Sequence, residues 1–267
     1  LQNHCKNYIL KNIIPAGEIP SVPYKWTGEF KGNQPIVVDH IMKNYYSDEN
    51  TKKGNAGLIL NLEAGQGKTF VATGLIERVK HCKVLIITHT CTIMNQWYII
   101  LKNAYPNNKI GMYYGKKKES GDIIVAVINS LMSNELIENG KNTSPYKYFN
   151  KFGFVIIDEV HEYSAEKRKK IYNKIQSTYM IGLSATPDEK DYGIDNINTW
   201  NVGEILDASL LNGYSVKDIP FTGEVSMIKY KGHPDYTKVI MNEAIDVISF
   251  PKTMNQICED PYRVHII

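Results

Sequence analysis

Between Gly57 and Leu183 the chain repeats one theme: a short apolar run rich in β-formers, a polar turn, then a stretch with helical periodicity. That alternation restricts the fold to an α/β domain, a parallel sheet covered by helices. The expected strands are Gly57–Leu62, Lys83–Thr88, Ile110–Tyr114, Asp122–Val127, Phe154–Asp158 and Tyr179–Leu183. Helices are expected at Lys68–Lys80, Thr92–Ala104, Ser130–Glu138 and Ala165–Gln176. Sheets of this kind bind ligands at the carboxyl ends of their strands. Residues 1–33, with Pro15, Pro20, Pro23 and scattered aromatics, read as an irregular lead-in packed on the core. After Pro187 the pattern weakens. Asp188–Trp200, rich in Asp, Asn and Gly, reads as a loop, with a strand near Glu224–Lys231 and helices near Tyr236–Ile248 and Met254–Tyr262 to follow.

The first of these strands carries the strongest chemical signal. Leu58-Ile59-Leu60-Asn61-Leu62 feeds Glu63-Ala64-Gly65-Gln66-Gly67-Lys68-Thr69, a glycine-rich turn that opens a helix. Gly65 and Gly67 let the backbone amides of Ala64 to Gly67 curl around phosphate oxygens, and the helix N-terminus adds its partial positive charge. Lys68 then reaches the β and γ phosphates, and the Thr69 hydroxyl ligates Mg²⁺, so the expected cofactors are ATP and Mg²⁺. Leu62 stands where the commonest form of this motif has its first glycine.

A second apolar run, Phe154-Val155-Ile156-Ile157, ends in Asp158-Glu159-Val160-His161. Two carboxylates at the end of a buried strand are costly unless a metal or a hydrogen-bond network uses them. Beside a phosphate loop, Asp158 would hold Mg²⁺ through its water shell, and Glu159 would orient and deprotonate the attacking water. Gly182-Leu183-Ser184-Ala185-Thr186-Pro187 brings two hydroxyls to the end of a further strand.

Taken together, Gln34 to Pro187 resembles the first RecA-like domain of the superfamily 2 helicases of DExH type, with DEVH as the box. The resemblance implies an ATP hydrolase that moves along nucleic acid. It assigns the coupling of nucleotide state to domain movement to Ser184, Thr186 and His161, and adenine recognition to Gln34. Val84 to Thr90, followed by Ile93, Gln96 and Trp97, resembles the family's first nucleic-acid-contacting motif, with Thr88 and Thr90 as its hydroxyls and His89 where proline is usual. Ile124 to Leu131 resembles the next, with Asn129 in place of the usual threonine, followed by Ser130. The DEVH box and Gln96-Trp97 point to the branch of XPB-like, phage UvsW-like and poxvirus transcript-release helicases. Heavy use of Asn, Lys, Ile and Tyr, 18 Tyr against 7 Phe, suits an AT-rich genome such as that of a large DNA virus.

The resemblance divides the chain into the lead-in, an ATP-binding domain over 34–218, and over 219–267 a linker with the start of a second motor domain. The implied partners are nucleic acid, DNA rather than RNA, that second RecA-like domain, and transcription or replication machinery. Family arginines that stabilise the transferring phosphoryl group come from the second domain. Only Arg78, Arg168 and Arg263 occur here, so the chain by itself is expected to bind nucleotide and hydrolyse it very slowly. Alternatives are a double-strand DNA translocase that never separates strands, a phosphate-loop kinase and a nucleotide-gated scaffold. Ser184-Ala185-Thr186 and the long spacing from Lys68 to Asp158 speak against the kinase.

Composition adds limits. A net charge of +3 gives no global field, so nucleic acid must be met by local patches such as Lys116-Lys117-Lys118 or Lys167-Arg168-Lys169-Lys170. The four cysteines form no CxxC pair and read as reduced thiols. No run approaches the roughly twenty apolar residues of a membrane span, and the start lacks a signal-peptide layout. The expected location is cytoplasmic or nuclear, in host cytoplasm or virion for a viral protein. Leu1 at the start and Ile267 at the end read as cuts in a longer chain.

Overall fold

The computed structural model describes residues 16–54, 56–79, 82–165, 167–186 and 196–215, with scattered positions between 236 and 260. The chain divides into two compact units, Leu1–Ile219 and Pro220–Ile267. In the second, Met241–Asn242 pairs antiparallel with Val247–Ile248, which overturns the helix expected near Tyr236–Ile248: Val247 and Ile248 are β-formers that find a strand partner. The strand expected near Glu224–Lys231 and most of the two helices expected after it lie outside the described residues, as do residues 1–15 of the lead-in and 188–195 of the expected loop.

In chain order the first unit contains α1 (Gln34–Asn44), α2 (Asp48–Lys53), β1 (Gly57–Asn61), α3 (Lys68–Arg78), β2 (Lys83–Thr88) and α4 (Cys91–Ala104). Then come β3 (Ile110–Tyr114), β4 (Lys117–Lys118), β5 (Ile123–Val127), α5 (Ile128–Leu131), β6 (Leu136–Glu138), β7 (Lys141–Thr143), α6 (Pro145–Phe149) and β8 (Phe152–Asp158). β9 (Tyr179–Ser184), α7 (Asn196–Asn201) and β10 (Glu204–Asp207) complete it. Eight strands form one sheet in the order β10-β1-β9-β8-β2-β5-β3-β4, parallel at every pairing but the last. The α/β reading therefore holds: a mostly parallel sheet flanked by helices.

Continuous apolar strands are explained by two covered faces. Val84 and Ile86 point to one side with Leu58, Leu60 and Phe154, against Val38 and Ile41 of α1, Leu75 of α3, and Trp97 and Leu101 of α4. Leu85 and Ile87 point to the other with Ile59, Val155 and Ile157, against Tyr163, Ile171 and Tyr172. All four central β2 side chains are fully buried, each contributing about 1.5–3 kcal/mol.

The described part of the lead-in, residues 16–33, is irregular and anchored. Tyr24 is buried and donates from its hydroxyl to the carbonyls of Cys82 (3.1 Å) and Asp122 (3.0 Å). Trp26 and Phe30 pack with ring centroids 4.4 Å apart.

Three further expectations need correction. The helix expected over Ser130–Glu138 stops at Leu131, and Leu136–Glu138 instead pairs with Lys141–Thr143 as a hairpin. Asn139 and Gly140, both at positive φ, make its turn, and an Asn-Gly pair is the strongest short hairpin signal. The helix expected over Ala165–Gln176 is a 3₁₀ turn at Arg168–Asn173. Tertiary ties shape it: Arg168 is drawn to Glu162, and Tyr172 donates to Asn198. The loop expected up to Trp200 ends in α7, and β10 extends the sheet beyond it. β10 has four residues and one buried side chain, Leu206, too little for a periodic signal.

Candidate functional site

Parallel strands put the ends of β1, β9, β8, β2 and β5 in a row along one edge of the sheet, and each chemical motif of the sequence lies on that edge.

At the end of β1, Leu62 is still tied to the sheet, its amide donating to the Ser184 carbonyl at 3.2 Å. Glu63, Ala64 and Gly65 are exposed, and the Gln66 amide closes the turn on the Glu63 carbonyl at 3.2 Å. Gly65 and Gly67 have φ of +81° and +85°, where a Cβ costs about 1–2 kcal/mol. At Gly67 a Cβ would also stand 2.2 Å from Gln34 Nε2, so a side chain there would displace the Gln34 amide, while the positive φ is what calls for glycine. Gln34, the first residue of α1, rests on this loop: Nε2 donates to the Gln66 carbonyl at 3.4 Å, and Oε1 accepts from the Lys31 amide at 3.0 Å.

Helix α3 starts at Lys68 with Gly67 as its cap and no capping side chain, leaving first-turn amides directed at the loop. Lys68 Nζ folds back across the turn and donates to the Leu62 carbonyl at 2.9 Å. Burial lowers the Lys68 ammonium below its ordinary value against the pull of Glu159 and Asp158. Thr69 follows, half-buried, with its carbonyl accepting from Thr73 Oγ1 at 2.6 Å.

The acidic box ends β8, in which all seven residues are buried. Asp158 Oδ2 accepts from Trp97 Nε1 at 2.7 Å, and Oδ1 accepts from the Glu159 amide at 3.1 Å. Burial nevertheless raises its carboxyl above the usual range; the Trp97 bond opposes this and the Glu159 charge adds to it. Glu159 sits in the left-handed region at φ 50°, ψ 58°, a strain of about 1–3 kcal/mol for a non-glycine residue. That turn leads into a 3₁₀ segment, Val160–Ser164, which carries His161 over the end of β9.

There His161 Nδ1 lies 2.9 Å from Ser184 Oγ and 3.5 Å from Glu159 Oε2. Ser184 is fully buried, and its Oγ accepts from the Thr186 amide at 3.1 Å. A continuous polar chain thus runs Glu159, His161, Ser184, Thr186, while the Ser184 carbonyl holds Leu62 at the root of the loop.

Farther along the edge, Thr88 is fully buried and its hydroxyl donates to the carbonyls of Thr90 (3.2 Å) and Ala126 (3.3 Å). Thr90 is exposed and caps α4, its Oγ1 accepting from the Ile93 amide at 3.3 Å. His89 Nδ1 is buried without a hydrogen bond among the described residues. Asn129 is exposed, and Ser130 Oγ accepts from the Gly115 amide at 3.1 Å. Lys68, Asp158, Glu159, His161, Ser184 and Thr186 are therefore gathered at three adjacent strand ends. Thr90 and Asn129 stand exposed on the next two, while the hydroxyls of Thr88 and Ser130 are engaged within the protein.

Trp97 is the residue that sequence reasoning leaves without this role. Its bond to Asp158 joins residues 61 positions apart, from α4 to the end of β8, and no local pattern signals such a contact.

A family model described as "Type III restriction enzyme, res subunit" matches residues 27–189. The protein named "Putative ATP-dependent RNA helicase QP509L" of African swine fever virus is 32% identical over 216 residues, covering 78% of this chain and 38% of that protein. "DNA 3'-5' translocase XPB2" of Sulfurisphaera tokodaii is 29% identical over 206 residues, covering 75% of this chain and 42% of that one. The crystal structure of the UvsW helicase of bacteriophage T4 aligns at a TM-score of 0.47 and 19% identity, over 71% of this chain and 63% of that chain. The chain thus spans less than half the length of the viral helicase and of the archaeal translocase.

Proposed function

Since this chain belongs to the helicase-type family described as the res subunit of type III restriction enzymes, we propose that it is the ATP-binding half of a motor that moves along nucleic acid. The observation that carries this reading is the convergence of Lys68, Asp158, Glu159 and the His161–Ser184 pair on three neighbouring strand ends.

The residues fit a magnesium nucleotide. The Gly67 turn is a cradle that a side chain would obstruct, and the ammonium of Lys68 reaches over it from within. Ala64 to Gly67 and Lys68 would hold the phosphates, Thr69 and Asp158 the Mg²⁺, and Gln34 the adenine edge. ATP supplies the phosphoanhydride whose cleavage drives movement, with Mg²⁺ neutralising charge at the phosphates. Glu159 orients a water and takes its proton, with its carboxylate 3.5 Å from His161 Nδ1. His161 lies between Glu159 and Ser184, so a change at the carboxylate is transmitted to Thr186 and the chain beyond it. Thr90 and Asn129 then meet the nucleic-acid backbone at the other half of the edge.

Both described arginines are committed elsewhere: Arg78 to Asp39 at 3.2 Å, and Arg168 to Glu162 at 2.5 Å. An arginine finger is worth about 10³–10⁵ in rate, so turnover by these residues alone should be very slow. The test is binding of a fluorescent ATP analogue with Mg²⁺ to the wild-type chain and to Lys68→Ala, beside ATPase assays with and without single-stranded DNA, duplex DNA and RNA. Tight binding lost in the variant, with little turnover, supports the reading. Wild-type binding that survives Lys68→Ala, or rapid phosphoryl transfer to a small acceptor instead of water, overturns it.

A further inference from the structure

Strand β3 runs parallel to β5, so its last residue, Tyr114, ends on the same sheet edge as Asn129 and Thr88. The chain turns there and returns as β4, with Tyr114 opposite Lys117 and Tyr113 opposite Lys118. The turn is fastened to the neighbouring strand end by the Gly115 amide, which donates to Ser130 Oγ at 3.1 Å. Ser130 thereby positions a lysine turn beside exposed Asn129.

The cations around this turn are seated on aromatic rings, and Lys117 is partly neutralised: it pairs with Glu119 and reaches Met112 Sδ at 3.5 Å. Lys102 Nζ and Lys117 Nζ lie 5.6 and 6.0 Å from the centroid of the Tyr98 ring on α4, and Lys118 Nζ lies 3.9 Å from that of Tyr113. Aromatic seats of this kind hold an ammonium in place while leaving its N–H groups available. One nearby carboxylate, Glu119, is divided between Lys117 (3.3 Å) and the Met112 amide (2.9 Å). Lys116, at the tip, is exposed and makes no ion pair among the described residues. In the second basic run, by contrast, Arg168 is consumed by Glu162.

We propose that the β3–β4 turn, through Lys116 and Lys117 with Lys102 behind them, is a phosphate-contacting element that lengthens the nucleic-acid track beyond Asn129. The proposal rests on the motor reading above. Its ligand is the phosphodiester backbone, met by charge and not by base identity, so the contact is sequence-independent and weakens with salt.

The test uses the full chain and its Lys116→Ala/Lys117→Ala variant, titrated with a single-stranded oligonucleotide by fluorescence anisotropy from low to physiological salt, alongside the ATP analogue. Each phosphate contact on a single strand contributes about 0.7 to the slope of log K against log salt. The double variant should lower that slope by about 1.4, in oligonucleotides of differing sequence alike, with ATP-analogue affinity unchanged. A Lys169→Ala/Lys170→Ala control should leave the slope as in wild type. An unchanged slope in a double variant that melts like wild type overturns the proposal alone. Absence of oligonucleotide binding by wild type at the lowest salt overturns the motor reading together with it.

Discussion

The first unit buries two aspartates at opposite edges of one sheet, and their surroundings differ in kind. Asp122, just before β5, is supplied by the Ser21 amide (2.7 Å), the Ser21 hydroxyl (2.6 Å) and the Lys109 amide (3.2 Å). Burial pushes its carboxyl up, but these bonds prevail and hold it below the ordinary range. Asp158, at the end of β8, has the Trp97 indole and its own neighbour's amide, with Glu159 alongside; there burial prevails and the carboxyl is raised. A carboxylate that the protein satisfies fully is a structural joint, here pinning the lead-in to the sheet. One left short of donors beside a second acid is what the proposed Mg²⁺ site would need.

Exchanging each for its amide gives the largest contrast. On the proposed reading, Asp158→Asn should reduce ATP turnover by about 10²-fold or more, while Asp122→Asn leaves turnover per folded molecule unchanged. Steady-state ATPase normalised to folded protein checks this, and equal losses would erase the distinction. On stability the order should reverse. Asp122→Asn removes an acceptor of charge-assisted bonds and should cost about 3 kcal/mol, whereas in Asp158→Asn the amide turned onto an N–H donor is offset by relief of burial and like-charge strain, so it should cost less, about 1 kcal/mol. Urea unfolding of the two variants measures both.

Trp97→Phe sharpens the comparison from the donor side. Deleting the one side-chain donor to Asp158 should destabilise by about 2 kcal/mol in urea unfolding at neutral pH. A wild-type midpoint would mean that the indole contributes packing only. The smallest effect should come from Ser21→Ala, about 1 kcal/mol, and its pH dependence is the informative part. A carboxyl held low in the fold stabilises fully above its unfolded value, and that stability is lost as pH falls through the folded value. The difference between wild type and Ser21→Ala should therefore be constant well above the unfolded value of an aspartate, about 3.9, and shrink as pH falls below it. A difference that persists in acid would assign it to packing.

The same contrast explains which parts of the molecule are legible in the sequence. β2 and β3 have the boundaries expected from their apolar runs, because strands buried on both faces leave an unbroken signature. The loop at Gly67 and the box at Asp158 are readable because their chemistry depends on residues adjacent in the chain. The Ser130–Glu138 region misleads: its apolar spacing suits a helix, yet Asn139-Gly140 dictates a turn. Contacts such as Trp97 to Asp158 and Ser21 to Asp122, 101 residues apart, are decided by which strands become neighbours. β10 is silent for the same reason, since pairing with β1, and not its own four residues, makes it a strand.

The left-handed backbone at Glu159 implies a tension between folding and use. Glycine or asparagine would adopt φ 50° with less strain, so either should relax the turn as it removes the carboxylate to which the proposed function gives the attacking water. A procedure that optimised this sequence for stability alone would remove the acid first. On the proposed reading, its presence against the local conformational preference would be the cost of keeping a carboxylate at the end of that strand.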